Sequence, residues 1–413
     1  MIFFLRFLFF IFYPVLFSGM LIMAGLKKMA WREFLERAGI RLPGGQVKTG
    51  LWVHLSSAGE FFTARKLLNL LSRENNKILL TYFYKDMPEN AAASGLCAAH
   101  FFLPIENFIS FRIIIKRLGI KKLIIFETEI WPLLISEAAA LGVQVILANG
   151  YIYNHDYPVY NKFSFFFRPV IRSYAALLVQ TESERSKYIS LGARPDLVFV
   201  TGDLKFDMEY VPGSDQTCRK LFFLPETGKI FICASVHKGE ESAVCAAALK
   251  LSAAGIFTVI APRFHRDFPV FAGELDKKNI IFRRRSQELG AGGGEKTASV
   301  LLLDTVGELS KLLPSAELVF VGGSLVPRGG HNLFEPVLHN CRTCTGPYYF
   351  NFQAMAGMLL EKGYLDIVQK ENFYNDISSL FLEKRADNGA EFARSLAGAC
   401  RKTAEILGSL NNS

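Results

Sequence analysis

Short apolar segments alternate with amphipathic segments along the chain after residue 50. The apolar segments are rich in β-branched residues, and the stretches between them place apolar side chains at helical spacing. Strands that are buried on both faces of a sheet read as continuous apolar runs, so this alternation predicts parallel sheets covered by helices. The pattern pauses near Asp207–Pro212 and then starts again, which predicts two successive α/β domains of similar size.

The predicted strands of the first set are Leu51–Leu55, Ile78–Phe83, Phe101–Pro104, Leu123–Phe126, Val143–Leu147, Leu177–Val179 and Val198–Val200. Those of the second set are Ile230–Cys233, Phe257–Ile260, Ile280–Phe282, Val300–Leu303, Leu318–Val321 and Arg342–Thr345. Helices are expected between them, for example at Phe61–Leu71 and Ile109–Leu118, and again over Ala390–Leu410. The Gly-rich stretch Gln287–Thr297 is expected to be a mobile surface loop, and Arg41–Gly50 a linker. Two open sheets predict a central cleft at their strand ends, where such sheets bind ligands.

A long hydrophobic segment precedes the first domain. Ile2–Leu26 is almost wholly apolar, is interrupted by Arg6 and Pro14, and is followed by basic residues from Lys27 onward. Its length allows a membrane-spanning helix, but Arg6 and Pro14 favour a shallow or re-entrant, hairpin-like membrane anchor. The basic residues would then face anionic lipids on the cytoplasmic side. A removed targeting peptide is the alternative, although no small-residue cleavage site is evident.

Composition narrows the possible functions. The 413 residues suit two or three domains, and a hydrophobic content of 50% excludes a disordered chain. The net charge of +9 is scattered, which predicts an anionic surface or substrate and no nucleic-acid partner. The 7 cysteines are dispersed, as is typical of reduced thiols in the cytosol. Cys341 and Cys344 have no second C-x-x-C pair, so a buried strand is favoured over a zinc site.

The stretch Val319–Pro336 combines a predicted strand, two glycine pairs and a predicted helix start. Asn332 is the candidate N-cap of that helix, and Glu335 falls in its first turn. Free backbone N–H groups beside glycines form anion sites, and a carboxylate there can accept hydrogen bonds from sugar hydroxyls. A tight strand-to-helix connection is the alternative, but the two pairs with His331 favour a nucleotide site.

Two loops of the first domain carry carboxylates. Glu60 lies near the start of the helix after the first strand, where it could cap the helix or act as a general base. Glu127 and Glu129 are two residues apart on a segment taken as extended, so we expect at most one of them to face a given ligand. Trp131 and the following proline are expected to begin a helix, and the Tyr- and Asn-rich segment 149–162 suits sugar recognition.

Several loops of the second domain are candidates for anion binding or catalysis. Arg263 is the best-placed anion-binding residue, because guanidinium binds phosphate oxygens in a bidentate manner. Ser235 and His237 are weak evidence for a hydrolase. His237, His265 and His331 do not have the sequence spacing of metal ligands, so no metal or other cofactor is expected. The absence of GxxxxGK[ST] and of a strand-linked GxGxxG disfavours NTPase and dinucleotide functions.

Taken together, the loop sequences resemble one family, the 3-deoxy-D-manno-octulosonic acid (Kdo) transferases of lipopolysaccharide biosynthesis. Eight matching segments fall in the family's order along nearly the whole chain. They are SSAGEF (56–61), ETEIWP (127–132), GDLKFD (202–207), SVHKGEE (235–241), APR (261–263), DTVGEL (304–309), GGSLVPRGGHNLFEP (322–336) and GPYYFNF (346–352).

This resemblance implies an inverting glycosyltransferase with the GT-B fold, two Rossmann-like domains facing a central cleft. It implies CMP-Kdo as donor, a lipid A precursor (lipid IVA) as acceptor, and the cytoplasmic face of the inner membrane as location. Glu60 matches the family's proposed catalytic base. The positions that match CMP-binding residues are Arg263, Gly307, Glu308, Asn332 and Glu335, and those that match other cleft residues are Glu129, Lys205 and His331.

The implied domains are a membrane anchor (1–28), an acceptor domain (46–208), a CMP-sugar domain (209–385) and a C-terminal helix (386–413). The chain departs from the family pattern at Tyr151, within Asn-Gly-Tyr-Ile-Tyr, and at Phe264, where a histidine is usual. Two alternatives stay open. One is a GT-B transferase with another nucleotide sugar and membrane acceptor, and the other is a non-catalytic nucleotide-binding membrane protein.

Overall fold

The computed structural model describes residues 2–43, 49–73, 77–85, 87–207, 214–291, 298–305, 307–383 and 388–410. The chain forms two compact units, Met1–Met208 with Ala397–Ser413 (unit 1) and Glu209–Leu396 (unit 2). Each contains a seven-stranded sheet whose paired strands are parallel. The expected fold class, two parallel α/β domains, is therefore confirmed.

The sheet of unit 1 has the strand order β3-β2-β1-β4-β5-β6-β7. Its strands are β1 (Leu51–His54), β2 (Ile78–Tyr82), β3 (Ala99–Phe102), β4 (Lys122–Phe126), β5 (Gln144–Gly150), β6 (Ala176–Val179) and β7 (Val198–Val200). Its helices are α1 (Ile2–Gly25), α2 (Trp31–Arg37), α3 (Ala58–Arg73), α4 (Met87–Ser94), α5 (Phe108–Leu118), α6 (Pro132–Ala140), α7 (Tyr157–Lys162), α8 (Ser164–Ile171) and α9 (Glu182–Ser190).

The sheet of unit 2 has the order β10-β11-β9-β8-β12-β13-β14. Its strands are β8 (Ile230–Val236), β9 (Phe257–Pro262), β10 (Phe282–Arg284), β11 (Val300–Leu302), β12 (Leu318–Val321), β13 (Arg342–Thr345) and β14 (Asp366–Ile367). Its helices are α10 (Asp215–Leu221), α11 (Glu241–Ala253), α12 (Phe268–Lys277), α13 (Arg285–Ala291), α14 (Leu309–Leu312), α15 (Phe334–Leu338), α16 (Gln353–Glu361), α17 (Phe373–Leu382) and α18 (Gly389–Leu396). Helix α19 (Ala399–Ser409) returns to unit 1 and packs against α3.

The central strands of both sheets are buried along their length. Trp52 and Val53 in β1 have no exposed surface, and neither does Phe320 in β12. Each fully buried side chain of this size contributes about 1.5–3 kcal/mol of hydrophobic stabilisation. Trp52 Nε1 donates a hydrogen bond to Thr81 Oγ1 (2.8 Å), which satisfies the indole N–H that burial removes from water. The continuous apolar runs of the sequence therefore reflect burial by helices on both faces.

The order of the strands decides which loops become neighbours. In unit 1 the chain moves from β1 outward to β3 and then returns to place β4 beside β1. In unit 2 it moves outward from β8 and returns to place β12 on the other side of β8. Each unit thus has a switch point, and ligands of such sheets bind at the carboxyl ends of the strands that flank it.

Some predicted boundaries were wrong. Strand β10 begins at Phe282, where the predicted strand ended, and the two-residue edge strand β14 was missed. The expected mobile loop is helical as far as Ala291, since α13 begins at Arg285, and the rest of it lies outside the described residues. The C-terminal helical pattern is divided into α18 and α19 by Gly398, whose φ of 120° is left-handed. Residues 44–48 of the predicted linker Arg41–Gly50, and all of the predicted pause Asp207–Pro212 except Asp207, also lie outside the described residues.

The N-terminal hydrophobic segment is one continuous helix, so the predicted hairpin-like form was wrong. Pro14 lies inside α1, and the helix contacts the rest of the unit on both sides of it. Tyr13 donates to the carbonyl of Ala38, and Phe17 packs on Phe34. Within the described residues, α1 is the one helix that is long and apolar enough to cross a membrane. A signal sequence or a buried core helix satisfies the same criteria.

Candidate active site

Glu60 lies in the first turn of α3, directly after the carboxyl end of β1. The Ser56 backbone N–H donates to Glu60 Oε2 (2.8 Å), and Ser57 Oγ donates to Glu60 Oε1 (3.3 Å). In return, the Glu60 backbone N–H donates to Ser57 Oγ (3.4 Å). These reciprocal bonds resemble a capping box, which fixes the direction of the carboxylate relative to the end of β1.

Both carboxylates that follow β4 act on Glu60. Burial raises the pKa of Glu60 to about 8, with further upward contributions from Glu127 and Glu129 and opposition from the bonds to Ser56 and Ser57. The expectation that the segment holding Glu127 and Glu129 is extended was wrong. Glu127 has a left-handed φ of 57°, and the Glu129 N–H turns back to the carbonyl of Phe126 (3.4 Å), so the segment is a turn and not an extended strand.

Glu127 is paired with Lys205. Lys205 Nζ lies 3.3 Å from Glu127 Oε1 and 5.6 Å from the centre of the Tyr151 ring, and Tyr151 Oη donates to Glu127 Oε2 (3.3 Å). Burial alone would lower the pKa of Lys205, but Glu127 and Asp203 outweigh it and the pKa is raised. Unit 1 therefore brings together three of the predicted residues, Glu60, Glu129 and Lys205. Sequence reasoning attached no role to Glu127 or to the Tyr151 contact.

The loop that holds Lys205 is fixed to the end of β5. The fully buried Asn149 accepts the Leu204 backbone N–H through Oδ1 (2.9 Å), and its own φ of 55° is left-handed. Asn tolerates this conformation better than other side chains that bear a Cβ atom. The Asn-Gly pair after the fifth predicted strand was the sequence signal for this turn.

In unit 2, the loops after β8 and β12 are joined by the buried side chain of Glu240. Its carboxylate accepts the backbone N–H groups of His237 (2.8 Å), Gly323 (2.9 Å), Ser324 (3.0 Å) and Leu325 (2.8 Å). The expectation that N–H groups beside the first glycine pair are free for a bound anion was therefore wrong, because a carboxylate of the chain already occupies them. The sequence feature that could have indicated this role of Glu240 was its position as an acidic residue near the start of the helix after β8.

Two histidines meet beside these loops. His237 Nε2 and His331 Nε2 are 2.6 Å apart, with the rings nearly parallel at 8°. One of the two nitrogens must carry a hydrogen and the other a lone pair. Burial, Arg263 and His237 lower the pKa of His331 to about 3, so this ring is neutral at physiological pH. Among the described residues, no group of three or more His, Cys, Asp or Glu side chains could hold a metal ion.

Arg263 follows β9, the strand next to β8. Its backbone N–H donates to the carbonyl of Val236 (2.9 Å), which places it at the carboxyl end of β8. The side chain is exposed, and its charge contributes to the lowered pKa of both His237 and His331. The predicted residues Arg263 and His331 are therefore brought together in unit 2.

Glu308 lies in the loop after β11 and is held by Arg285. Arg285 Nε and Nη2 donate to Glu308 Oε2 and Oε1 (3.1 and 3.0 Å), and Thr305 donates to the same carboxylate. These hydrogen bonds, with that from Arg285 the largest contribution, keep the pKa of Glu308 below its ordinary value. The preceding Gly307 has a left-handed φ of 81°. Sequence reasoning missed Arg285, although it stands in a run of three arginines after the predicted strand.

Asn332 and Glu335 lie on either side of the start of α15. Asn332 Oδ1 accepts the Phe334 backbone N–H (2.9 Å). The N-cap itself is Leu333, so Asn332 lies one residue before the N-cap position that was predicted for it. Glu335 is in the first turn, as expected. Burial raises its pKa, against a hydrogen bond from Ser310 in α14 that lowers it. This contact brings the loop of Gly307 and Glu308 near Glu335.

The Kdo transferase family model, described as "3-Deoxy-D-manno-octulosonic-acid transferase (kdotransferase)", matches residues 31–208. Residues 31–208 are a domain of the Kdo transferase family. This stretch contains Glu60, Glu129 and Lys205, so the predicted residues of unit 1 lie within the part of the chain that defines the family match.

Curated relatives extend the similarity over most of the chain. The Kdo transferase of Haemophilus influenzae is 29% identical over 77% of this chain and 75% of its own length. That of Chlamydia trachomatis serovar A is 26% identical over 96% of this chain and 92% of its own length. A bifunctional glycosyltransferase/methyltransferase of Fusobacterium nucleatum is 28% identical over 82% of this chain, which spans about half (53%) of that longer protein.

Solved structures show the same fold. A glycosyltransferase from Rickettsia africae superposes with a TM-score of 0.56 at 12% identity, covering 88% of this chain and 99% of that one. MurG from Acinetobacter baumannii gives a TM-score of 0.56 at 13% identity, covering 87% and 99%. At such identities the likeness establishes the GT-B fold alone. The family domain and the curated relatives together show that the chain is a glycosyltransferase.

Proposed function

We propose that this glycosyltransferase transfers Kdo from CMP-Kdo to the lipid A precursor lipid IVA, with inversion, at the cytoplasmic face of the inner membrane. The observation that carries the proposal is the position of Glu60. Its carboxylate is fixed by Ser56 and Ser57 at the switch point of unit 1, inside the domain that matches the Kdo transferases. We assign the acceptor to residues 46–208, the donor to residues 209–385 and the membrane anchor to residues 1–28.

Glu60 would act as the general base. It would take the proton of the acceptor hydroxyl while that oxygen attacks the anomeric carbon of Kdo and CMP leaves from the opposite face. The raised pKa, about 8, makes its ionised form a stronger base than an ordinary carboxylate. Glu129 raises this pKa further, and Lys205 balances the charge of Glu127, so both would tune the base rather than replace it.

Unit 2 would bind CMP. Arg263 would bind the phosphate in a bidentate manner, supported by the neutral His331 as a hydrogen-bonding partner. Glu335 and Asn332 would bind sugar or base polar groups, and Gly307, which has no side chain, would let the nucleotide approach the backbone. Glu308 would act through Arg285, to which it is already bonded. CMP carries less charge than a nucleoside diphosphate, so these side chains can stabilise it as a leaving group without a divalent cation.

The test is incubation of the purified chain with CMP-Kdo and a tetraacyl lipid A precursor, with the product mass read by mass spectrometry. We expect a mass increase of one or more Kdo residues. Glu60→Gln should lower turnover by about 10²–10⁴-fold, the usual contribution of a general base, with CMP affinity unchanged. The control is Glu226→Gln, an exposed glutamate of unit 2. An unchanged rate in Glu60→Gln would remove Glu60 as the base, and no product despite CMP binding would exclude this donor and acceptor.

A further inference from the structure

Helix α1 contacts unit 1 along its whole length. The side chains that face the unit are spaced by three or four residues and form one stripe: Leu5, Arg6, Phe9, Tyr13, Phe17, Met20 and Ala24. Leu5 belongs to the core beneath the sheet, whereas Met20 and Ala24 pack in a second cluster with Phe34 of α2. From Leu5 to Ala24 the stripe is roughly 28 Å long at 1.5 Å per residue, nearly the thickness of a bilayer's hydrocarbon core.

Polar contacts fix the first half of this stripe. Glu137 of α6 is fully buried, and it accepts hydrogen bonds from Arg6 of α1 (2.5 and 2.9 Å) and from Arg112 of α5 (2.9 Å). Further along, Tyr13 donates to the carbonyl of Ala38 and accepts from Asn107 (3.2 Å). Removing α1 from the unit would leave the buried Glu137 with fewer charged partners, which disfavours a loosely attached helix.

The opposite face of α1 is exposed and, apart from Ser18, apolar. Its exposed side chains are Phe3, Phe4, Phe7, Phe10, Ile11, Phe12, Val15, Leu16, Leu21, Ile22 and Met23. The neighbouring helix α5 adds the exposed Ile109 and Ile113, and the basic residues Lys27 and Lys28 follow α1 directly. Soluble monomers rarely expose an apolar surface of this size, and one beside basic residues fits lipid and its anionic headgroups.

A helix in this position cannot cross a bilayer without taking unit 1 with it. Because α1 is covered over nearly the full hydrocarbon thickness, a perpendicular orientation would place α5 and α6 in the hydrocarbon. Helix α5 carries the exposed Lys116 and Arg117, whose transfer into hydrocarbon is strongly unfavourable. The docked arrangement is therefore compatible with a helix that lies along the membrane surface.

We propose that α1 stays docked on unit 1 and lies in the plane of the membrane surface, with its exposed apolar face in the lipid, instead of spanning the bilayer. The inference deepens the proposed membrane-bound function by naming how the unit is held at the surface. The occupant of the exposed face is a lipid bilayer. Both ends of α1 then stay on the same side of the membrane as the catalytic unit.

Cross-linking tests the docking. The full-length pair Phe9→Cys with Phe108→Cys, whose rings lie 5.2 Å apart, should cross-link with a short bismaleimide in phosphatidylethanolamine/phosphatidylglycerol vesicles. The matched pair Phe12→Cys with Phe108→Cys should not, because Phe12 is on the exposed face. The unsubstituted chain controls for its native cysteines, of which Cys97 is half-buried. Equal cross-linking of both pairs, or none, would overturn the docking, and a dimer linked through Phe12→Cys would assign the face to a second copy.

Sidedness tests the in-plane orientation. A peptide tag before Met1 and a cysteine introduced as Lys27→Cys should both be accessible from outside in sealed vesicles that expose the cytoplasmic face. Protection of the tag until detergent is added would show a spanning helix and overturn the proposal. Neither measurement needs turnover. If these tests fail but the chain makes product, only the proposed position of α1 is contradicted. If they succeed but no product forms, only the proposed Kdo transfer is contradicted.

Discussion

The buried carboxylate of Glu240 accepts the backbone N–H of Gly323 at 2.9 Å and so joins the loop after β8 to the loop after β12. Three more backbone N–H groups converge on the same two oxygens. Gly322 next to them has no room for a side chain, since a Cβ atom would lie 2.7 Å from the Cα of Val236. The chain thus supplies its own anion at this switch point, and the loop that carries His331 is built on it.

We expect Glu240→Gln to destabilise unit 2 by about 1–3 kcal/mol, because an amide NH₂ would face backbone N–H donors and leave at least one of them unpaired. Far-UV circular dichroism during urea unfolding measures the change. All three tryptophans, Trp31, Trp52 and Trp131, belong to unit 1, so their fluorescence reports that unit separately.

The tryptophan transition should stay in place in Glu240→Gln while the dichroism midpoint falls. Glu226→Gln, at an exposed position in unit 2, is the control and should change neither. An unchanged dichroism midpoint in Glu240→Gln would contradict the structural role assigned to this carboxylate.

Turnover should increase with pH up to about 8. The pKa of Glu60 is raised to about 8, chiefly by burial, so the base is mostly protonated at pH 7 and becomes ionised as the pH rises. Glu129→Gln removes one negative neighbour and should shift this limb of the kcat/KM profile to lower pH. Glu405→Gln, exposed on α19, should leave the profile in place. Identical profiles for Glu129→Gln and the unsubstituted enzyme would contradict the coupling.

The same group predicts how stability depends on pH. The folded chain keeps the Glu60 proton above the ordinary value of 4.5, where the unfolded chain has lost it. The contribution of this proton to the free energy of unfolding is therefore complete below pH 4.5 and is lost as the pH rises through about 8. Between these values the free energy of unfolding falls by at most about 1.4 kcal/mol per pH unit. Glu60→Gln should therefore unfold at higher urea than the unsubstituted chain at pH 8.5 but not at pH 4.5, as measured by tryptophan fluorescence.

Arg263→Ala should weaken CMP binding by about 10–100-fold, the loss expected when a charge-assisted bidentate contact of about 1.5–3 kcal/mol is removed. Arg263→Lys should recover only part of the affinity, because an ammonium cannot form the bidentate pair. Isothermal titration with CMP measures both. Arg266→Ala is the matched control, since that guanidinium lies over the Phe264 ring. Equal losses for Arg263→Ala and Arg266→Ala would indicate a general charge effect.

Glu308→Gln should destabilise the chain by about 2 kcal/mol, because it weakens the bidentate pair with the buried Arg285. The pKa of Glu308 is lowered, so its contribution is present above the ordinary value of 4.5 and is lost as the pH falls below it. The difference between variant and unsubstituted chain should therefore be seen at pH 7 and decline in acid. If instead CMP affinity falls while stability is unchanged at pH 7, Glu308 binds the nucleotide directly.

Much of the local architecture was predictable from the sequence because it depends on near neighbours. Continuous apolar runs require strands covered on both faces, and Val198–Val200, Leu318–Val321 and Arg342–Thr345 are strands over the predicted ranges. The Trp131-Pro132 helix start follows from the fixed φ of proline at the first helical position. Glu60 and Glu335 fall in the first turns of their helices for similarly local reasons.

Contacts between distant segments were decided only in the folded chain. The sequence alone placed Glu127 and Glu129 on an extended segment, but Glu127 is in a left-handed turn, and the charges of both residues raise the pKa of Glu60. It also left the N–H groups after β12 free, whereas Glu240, more than eighty residues earlier in the chain, occupies them. The pairing of Glu308 with Arg285 likewise joins two strand ends that periodicity cannot relate.

By itself the sequence determined most of the strands, several helix starts and the eight family segments, because each follows from residues within a few positions of one another. The tertiary structure decided which carboxylates share a site, which backbone donors are already occupied, and that α1 is a continuous helix docked on unit 1. The physical reason is that strand order brings loops together across long stretches of chain. Only then do burial and neighbouring charge change what a side chain can do.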